Sequence, residues 1–194
     1  MAKNKAVFLD RDGTIVEHVE LLHQVSRLRM LPNSARAIKA FKNLGYLTIV
    51  ISNQPVVARG IATLEDVEKV HASMIRRLTR RGAKIDAVYF CPHHPEKYPG
   101  VPKHARKYRM VCVCRKPEPG MINKAMKDYN IDARKSFMVG DSMIDVVAGM
   151  RAGVKTVLVK TGPGHRRDEE FKHAKPNFIA RDLLEAVRYI KTRK

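Results

Sequence analysis

The sequence predicts an α/β fold in which helices cover both faces of a mostly parallel sheet. Short β-rich runs alternate with amphipathic stretches, which indicates repeated βαβ units. The length of 194 residues suits one domain, 1–194, with a loop insertion at about 91–119, and 44% apolar residues suffice for a buried core. No run approaches about eighteen consecutive apolar residues, so we expect no membrane span.

Each predicted strand is a short run rich in β-branched and aromatic residues. These runs lie at 6–10, 47–52, 85–91, 136–141, 155–161 and, more weakly, 177–180. The helical patterns lie at 33–44, 63–81, 120–129, 143–152 and 182–191. In the first of these, Ala37, Ile38 and Phe41 share one face, and Gly45 ends the pattern. In the second, Thr63 precedes acidic residues in the manner of an N-cap.

Residues 91–119 interrupt this alternation. The segment holds six prolines, three histidines and all three cysteines of the chain. It is too polar and too rich in proline for a helix or a central strand, so we expect a long loop, which is usually functional. Cys91 and His93, with Cys112 and Cys114, offer three thiolates and one imidazole, the ligand set of a closed structural zinc site. Free thiols beside solvated histidines are the alternative.

The net charge of +19 is the most unusual feature of the composition. A basic surface attracts anions and raises their encounter rate. Nucleic acid, acidic membrane surfaces and phosphorylated metabolites fit this charge, and so does a solvated surface without a fixed partner. No secretory signal precedes the first strand, and three cysteines argue against a disulfide framework, so we expect a cytoplasmic protein.

Two acidic residues, Asp10 and Asp12, directly follow the first predicted strand. Ligands of open α/β sheets bind at the carboxyl ends of the strands, so both carboxylates lie where a site is expected. Such a pair can bind a divalent cation while one acid attacks and the other moves a proton. Asp141 follows the fourth strand and would complete an oxygen-rich site suited to Mg²⁺. Asp145, one helical turn later, could orient Asp141 or Lys116.

Polar and basic residues occur at two further places. Ser52, Asn53 and Gln54 end the second strand, where a hydroxyl and an amide can donate hydrogen bonds to a phosphoryl oxygen. Lys116 can neutralise charge on a transferring phosphoryl group, and Arg115 can grip a second phosphate bidentately. Each feature alone is better explained as a cap, a turn or a charged loop. Their occurrence together, each at a strand end or on its loop, indicates a single site.

This arrangement resembles the haloacid dehalogenase (HAD) superfamily of phosphohydrolases. The motifs look like those of the small-molecule branch, which includes heptose bisphosphate phosphatases and histidinol-phosphate phosphatases. The residues that carry the resemblance are Asp10-Arg11-Asp12-Gly13-Thr14, Ser52-Asn53-Gln54, Ala58-Arg59-Gly60 and Arg115-Lys116-Pro117. The resemblance implies a Rossmann-like HAD fold with a minimal cap, and a zinc-bound loop between the third strand and Arg115.

The resemblance also implies a role for each acid. Asp10 would be the nucleophile that forms an aspartyl-phosphate. Asp12 would protonate the leaving oxygen and then activate water. Asp10, the backbone carbonyl of Asp12, and Asp141 would hold Mg²⁺.

The implied roles of the remaining residues concern the phosphoryl group and the substrate. Ser52 and Lys116 would stabilise the phosphoryl group, and Arg115 would help recognise the substrate. Asn53 and Gln54 are expected beside it as substrate-binding residues. We therefore expect a monomeric phosphohydrolase with two cofactors, Mg²⁺ and Zn²⁺, that acts on a small phosphorylated metabolite.

The recognition positions depart from the pattern that is usual in heptose bisphosphate phosphatases. The departures are His18-Val19-Glu20-Leu21, Pro55-Val56-Val57 and Ser142. The expected reaction is thus clearer than the substrate, for which a sugar bisphosphate such as D-glycero-D-manno-heptose 1,7-bisphosphate is the leading interpretation. A histidinol-phosphate phosphatase, a nucleotide or nucleic-acid-end phosphatase, and a non-catalytic nucleic-acid binding module are the alternatives.

Overall fold

Six parallel strands form one sheet in the computed structural model, which describes residues 3–96, 99–164, 169–171 and 173–193. The strands are β1 (Ala6–Leu9), β2 (Leu47–Asn53), β3 (Ala87–Cys91), β4 (Phe137–Gly140), β5 (Lys155–Val159) and β6 (Phe178–Ala180). Their order across the sheet is β3-β2-β1-β4-β5-β6, and every neighbouring pair is parallel. The predicted α/β fold is therefore confirmed.

Helices connect these strands close to the predicted positions. They are α1 (Ser34–Asn43), α2 (Leu64–Thr79), α3 (Lys103–Arg106), α4 (Gly120–Asp128), α5 (Met143–Arg151) and α6 (Leu183–Lys191). The predicted cap of α2 is present, because the Thr63 hydroxyl accepts from the Asp66 amide and the Asp66 carboxylate accepts from the Thr63 amide. In the described part of the chain, no helix is both long and apolar enough to cross a lipid bilayer.

The segment 91–119 differs from the sequence prediction in one respect. It is mostly loop, but the expectation that it contains no helix is wrong at α3. Ala105 is fully buried there and fixes the short helix against the domain, while the Tyr108 amide donates to the Ala105 carbonyl at 3.0 Å. Residues 97 and 98 lie outside the described residues.

The strands are buried on both faces, as parallel sheets usually are. Successive side chains point to opposite faces, so Val7 and Leu9 enter one core cluster while Phe8 enters the other. The first cluster packs against α1, α2 and α6, and the second packs against α4 and α5. The carboxyl ends of β1, β2 and β4 are thereby held side by side at one edge of a rigid sheet.

Gly149 in α5 provides a test of this packing. A Cβ at this position would lie 2.6 Å from Thr156 Cγ2 and 2.8 Å from Met138 Cβ, closer than real Cβ contacts. We expect Gly149→Ala to lower the free energy of unfolding by about 1–3 kcal/mol through overpacking, despite the better helix propensity of alanine. The measurement is urea denaturation.

The control is Met150→Ala on the same helix, because Met150 is 51% exposed and its replacement should change stability by less than about 0.5 kcal/mol. A Gly149→Ala protein as stable as the original chain would contradict the close packing of α5 on β4 and β5.

Candidate active site

A cavity of about 320 Å³ opens at the carboxyl ends of β1, β2 and β4. The predicted site residues that line it are Asp10, Asp12, Asn53, Gln54, Arg115, Lys116 and Asp141. Ser52 is not among the lining residues: it is 1% exposed and its hydroxyl accepts a hydrogen bond from Gln54 Nε2 at 2.9 Å. The structure thus brings the predicted site residues together around one cavity. Ser52 lies behind Gln54 and does not face the cavity.

Lys116 lines the cavity and contacts two of its acidic residues. Its ammonium Nζ is 2.7 Å from Asp10 Oδ1 and 2.6 Å from Asp145 Oδ1, and it donates to the Ile51 carbonyl at 2.9 Å. Burial lowers the pKa of Lys116, but Asp10 and Asp145 raise it by more, so that it lies above its ordinary value. Lys116 is therefore a permanent buried cation next to the predicted nucleophile.

Three buried carboxylates surround this single cation. Oxygen atoms of Asp10, Asp141 and Asp145 lie within 4.8 Å of one another. Burial raises the pKa of Asp10 well above its usual range, although Lys116 opposes the rise. Burial, and then the Asp145 carboxylate, raise the pKa of Asp141 to about 7. When all three are ionised, these carboxylates carry more negative charge than Lys116 neutralises.

This excess of carboxylate oxygen fits a hard divalent cation such as Mg²⁺. Asp145 is already engaged, since its carboxylate contacts Lys116 and accepts from the Ser142 amide at 3.1 Å. Asp10 and Asp141, with the backbone carbonyl of Asp12, remain the groups that the family resemblance implies would hold the ion. A bound Mg²⁺ supplies charge neutralisation for the oxygens of a phosphoryl group.

Two glycines allow the backbone to approach Asp141. Gly13 has a φ of +80°, and a Cβ there would lie 2.6 Å from Asp141 Oδ2. The Gly164 amide donates to the same oxygen at 2.9 Å. The tight turn after β1 and the loop after β5 thus bring the backbone close to Asp141, and the loop supplies a backbone donor to its carboxylate.

Asp12 is held by a buried guanidinium. The Arg11 side chain is fully buried, and its Nη2 lies 2.8 Å from Asp12 Oδ2, while Gln54 Nε2 donates to the same oxygen at 3.0 Å. Arg11 Nη2 also donates to Gln54 Oε1 at 3.0 Å, which closes a three-membered network. Asp12 keeps an exposed fraction of 20% and faces the cavity, so the network fixes its direction without removing it from the site.

His71 from α2 completes this network from behind. Its Nε2 lies 3.1 Å from Arg11 Nη1, and a guanidinium only donates, so Nε2 must be the acceptor of a neutral ring. Burial, and then the Arg11 charge, lower the pKa of His71 to about 3. A protonated His71 ring beside the Arg11 guanidinium would therefore destabilise this packing.

The Cys and His residues predicted to bind zinc converge in the loop between β3 and α4. The Sγ atom of Cys114 lies 3.2 Å from those of Cys91 and Cys112, and 3.3 Å from His93 Nδ1. A zinc ion with Zn–S bonds of about 2.3 Å holds its sulfurs about 3.8 Å apart, which is comparable. The cysteines form no disulfide. These four side chains fit a closed zinc site.

The loop with the cysteines places the two basic residues of the site. Arg115 Nη1 donates to the carbonyl of His93 at 3.3 Å. The Lys116 amide donates to Asn53 Oδ1 at 3.0 Å, and Asn53 Nδ2 donates back to the Lys116 carbonyl at 2.9 Å. Asn53 thus ties the end of β2 to the backbone of Lys116, and because it also lines the cavity, its role in binding substrate stays a prediction.

Comparison with known proteins agrees with this geometry. The model of the HAD-hydrolase-like family matches residues 113–186. The D-glycero-β-D-manno-heptose-1,7-bisphosphate 7-phosphatase of Pasteurella multocida (strain Pm70) is 37% identical over 188 residues, which cover 96% of this chain and 97% of that protein. The chain belongs to the HAD family. It is a phosphoric monoester hydrolase, as the resemblance of its motifs implied.

Solved structures of HAD phosphatases have the same architecture. A D,D-heptose 1,7-bisphosphate phosphatase from B. bronchiseptica, complexed with magnesium and phosphate, has a TM-score of 0.83 and 28% identity, and the match covers 98% of this chain and 99% of that one. A HAD-like phosphatase from Mesorhizobium loti has a TM-score of 0.80 and 29% identity over 98% of this chain and 87% of that one.

Sequence reasoning overlooked several residues of this HAD phosphatase site. Arg11 was noted only as part of the first motif, and nothing in the sequence indicates that its side chain lies buried against His71 from α2. Gly164 follows β5 in a Gly-Pro-Gly stretch, and such a loop at a strand's carboxyl end was a usable signal. Arg59 also lines the cavity, and it was noted only as part of a motif.

The buried neutral His71 predicts a pH-dependent stability. The unfolded imidazole takes up a proton near pH 6.5 and the folded one only near pH 3, so the unfolded chain binds more protons in between and stability falls as the pH is lowered. The variant His71→Gln keeps a hydrogen-bond acceptor but does not titrate. Between pH 7 and pH 5, we expect its free energy of unfolding to fall by up to about 2 kcal/mol less than that of the original chain.

The measurement is urea denaturation at both pH values, with the exposed His104→Gln as the matched control. The prediction fails if all three proteins show the same pH slope.

The cysteine cluster gives a metal-binding test. We expect Cys112→Ser to weaken zinc binding at least about 10-fold, because a hydroxyl is a poor zinc ligand, whereas the neighbouring Val113→Ser should bind zinc normally. Val113 is 77% exposed, so its replacement changes the loop sequence without touching the cluster. Competition with a chromogenic chelator measures the affinity, and equal affinities in the two variants would exclude the assigned ligand set.

Proposed function

We propose that this HAD phosphatase hydrolyses a sugar bisphosphate of the D-glycero-D-manno-heptose 1,7-bisphosphate class through an ester on Asp10. The observation that carries the proposal is the contact of 2.7 Å between Lys116 Nζ and Asp10 Oδ1 inside a cavity lined by carboxylates. A buried carboxylate beside a fixed cation stays available as a nucleophile, and the same cation can then stabilise the phosphoryl oxygens.

The chemistry follows from the residues around the cavity. An oxygen of Asp10 attacks phosphorus while the bond to the leaving oxygen breaks, and Asp12 delivers a proton to that oxygen. Water then attacks the aspartyl-phosphate, Asp12 takes up the proton, and inorganic phosphate and free Asp10 result. The Arg11 and Gln54 contacts hold Asp12 in a fixed direction during both steps.

Two further cations suit a substrate with a second phosphate. Arg59 and Arg115 both line the cavity, and both lie close enough to His94 to lower its pKa, after burial as the larger cause. A guanidinium can grip a phosphate bidentately. Apolar residues that also line the cavity, including Val56 and Ile144, would pack against the carbon skeleton of the substrate.

The setting of the reaction is proposed from the same residues. Asp10, Asp12, Lys116 and Asp141 all line one cavity within the chain, so we propose that the monomer is active. A cluster of reduced thiols that binds zinc suits a reducing compartment, which is consistent with a cytoplasmic protein.

The decisive variant is Asp10→Asn. We expect it to lower kcat at least about 10³-fold, because an amide cannot serve as the nucleophile, while the same change at Asp128, on the outer end of α4, should leave kcat within about 2-fold. Phosphate release with Mg²⁺ measures the rate. Acid-quenched original enzyme should carry phosphate on the peptide that contains Asp10, and phosphate on any other residue would overturn the mechanism.

The substrate is tested separately from the reaction. The compounds compared are D-glycero-D-manno-heptose 1,7-bisphosphate, histidinol phosphate, a nucleoside monophosphate and a DNA 3′-phosphate end. We expect the highest kcat/KM with the heptose bisphosphate. A higher kcat/KM with any other compound would overturn the proposed substrate and leave the Asp10 chemistry intact.

A further inference from the structure

A cavity of about 310 Å³ lies where the end of α2 meets the segment that precedes α1. We call it the arginine pocket. Its lining residues are Arg29, Met30, Arg77, Arg80 and Arg81. None of these residues lines the catalytic cavity, and no acidic residue is among the described residues that line the arginine pocket. The pocket is therefore a separate concentration of four positive charges that the phosphatase reaction does not use.

Two of these guanidinium groups converge on one backbone oxygen. Arg77 Nη1 donates to the Leu28 carbonyl at 2.6 Å, and Arg29 Nη1 donates to the same carbonyl at 3.1 Å. Arg29 Nη1 also donates to the Ser26 carbonyl at 2.7 Å. Because all three contacts have hydrogen-bond lengths, the two guanidinium groups are held side by side. A shared acceptor thus fixes two like charges next to each other, and both side chains are positioned before any ligand arrives.

The end of α2 explains only part of this cluster. Basic residues are common in the last turn of a helix, where they offset the negative end of the helix dipole. Arg77 lies in the last turn of α2, and Arg80 and Arg81 follow that helix. Arg29, however, belongs to a different segment, and it meets Arg77 at the Leu28 carbonyl, which is not part of α2. The helix dipole therefore accounts neither for the fourth charge nor for the pairing of two guanidinium groups.

Ion pairing does not neutralise the arginine pocket. In the described part of the chain, no carboxylate lies within ion-pair distance of its four arginines. The hydrogen bonds that Arg29 and Arg77 donate go to backbone carbonyls, which carry no net charge. Four like charges close together repel one another, so an anion between them lowers the energy of the arrangement. The pocket therefore has an electrostatic reason to take up an anion from solution.

The charge and size of the pocket favour a short polyphosphate. A phosphate group carries about −1.5 to −2 charges at pH 7, so two or three linked phosphates come closest to matching four guanidinium groups. Each guanidinium has five N–H donors and can bind phosphate oxygens bidentately, so donors remain after the carbonyl contacts. The cavity is at the small end of ligand sites, and it gathers its cations around one point, whereas a nucleic-acid backbone is bound by cations along a line.

From this placement we propose that the arginine pocket binds a small anion with two or three linked phosphates, such as inorganic pyrophosphate or the polyphosphate chain of a nucleotide. Arg29 and Arg77 supply the fixed donors, and the exposed Arg80 and Arg81 contact the anion from the end of α2. The catalytic cavity stays open when the pocket is filled, because the two sites share no lining residue.

The test is isothermal titration calorimetry of the zinc-loaded full chain with inorganic pyrophosphate. Mg²⁺ is left out, so that the catalytic cavity lacks the cation that favours phosphate there. We expect one saturable site, with an affinity at least about 10-fold higher than for orthophosphate, because the second phosphate engages further guanidinium groups.

Two further titrations identify the source of the polyphosphate. If a nucleoside triphosphate binds more tightly than inorganic tripolyphosphate, the ligand is a nucleotide. If it binds equally or less tightly, the ligand is free polyphosphate. Both results support the arginine pocket as a polyphosphate site.

The variant is Arg80→Gln/Arg81→Gln, because both side chains are exposed and neither forms an ion pair in the described part of the chain. The matched control is Arg134→Gln/Arg188→Gln, which removes two exposed arginines outside the pocket and changes the net charge by the same amount. We expect the pocket variant to lose at least about 10-fold in affinity for pyrophosphate, and the control to lose less than about 3-fold.

An unchanged kcat/KM on a phosphate monoester with Mg²⁺ shows that the pocket variant folds. If it does not fold, Arg29→Gln replaces it, with the same expected loss of affinity, because Arg29 is one of the two fixed donors.

Four outcomes would overturn the proposal. The first is no saturable binding of pyrophosphate, and the second is an equal or greater loss of affinity in the control variant. The third is an equal loss in Arg115→Gln, which would place the anion in the catalytic cavity that Arg115 lines. The fourth is tighter binding of a DNA duplex than of pyrophosphate at equal phosphate concentration, which would indicate a nucleic-acid surface.

Discussion

The contact between Lys116 and two buried carboxylates is the interaction on which the site depends. Removing a charge from water costs several kcal/mol, and burial raises the pKa of Asp10 well above its usual range, so the ionised form of Asp10 depends on a cation close by. Lys116 meets both Asp10 and Asp145 at hydrogen-bond distance and is itself nearly inaccessible to solvent. The third carboxylate, Asp141, exceeds what one ammonium can neutralise, and this imbalance is what makes the cluster a cation site.

Much of the surrounding structure serves to bring Lys116 to this place. Lys116 is far in sequence from the strand ends that carry the acids, and it lies on a loop with little apolar content of its own. The loop is anchored at two points, by the cysteine cluster just before it and by the paired hydrogen bonds between Asn53 and the Lys116 backbone. A metal-binding cluster can therefore replace the hydrophobic core that this loop lacks.

Because all the strands run in one direction, the two edges of the sheet where the strands begin and end carry different residues. In a parallel sheet all strands end at one edge, so acids that follow the strands gather there and form the catalytic cluster. Residues that precede the strands gather at the other edge, and here these are lysines and arginines. A cluster of three buried acids thus lies at one edge of the sheet, and six of the chain's 38 lysines and arginines line a groove at the other.

The sequence by itself determined the fold class and the strand positions within a few residues, and it predicted two groups of metal ligands. These features depend on local periodicity and on residues that directly follow strands, and both can be read along the chain. Even so, the short helix α3 was missed, because its formation depends on the burial of Ala105 rather than on local propensity. The sequence offered Asp141 or Lys116 as the group that Asp145 orients, and the tertiary structure shows the contact with Lys116. Tertiary structure alone decided that Arg11 is buried between Asp12 and His71, and that scattered lysines and arginines line one groove. Each of these facts joins residues distant in sequence, and the energy of a charge depends on neighbours that only the folded chain brings together.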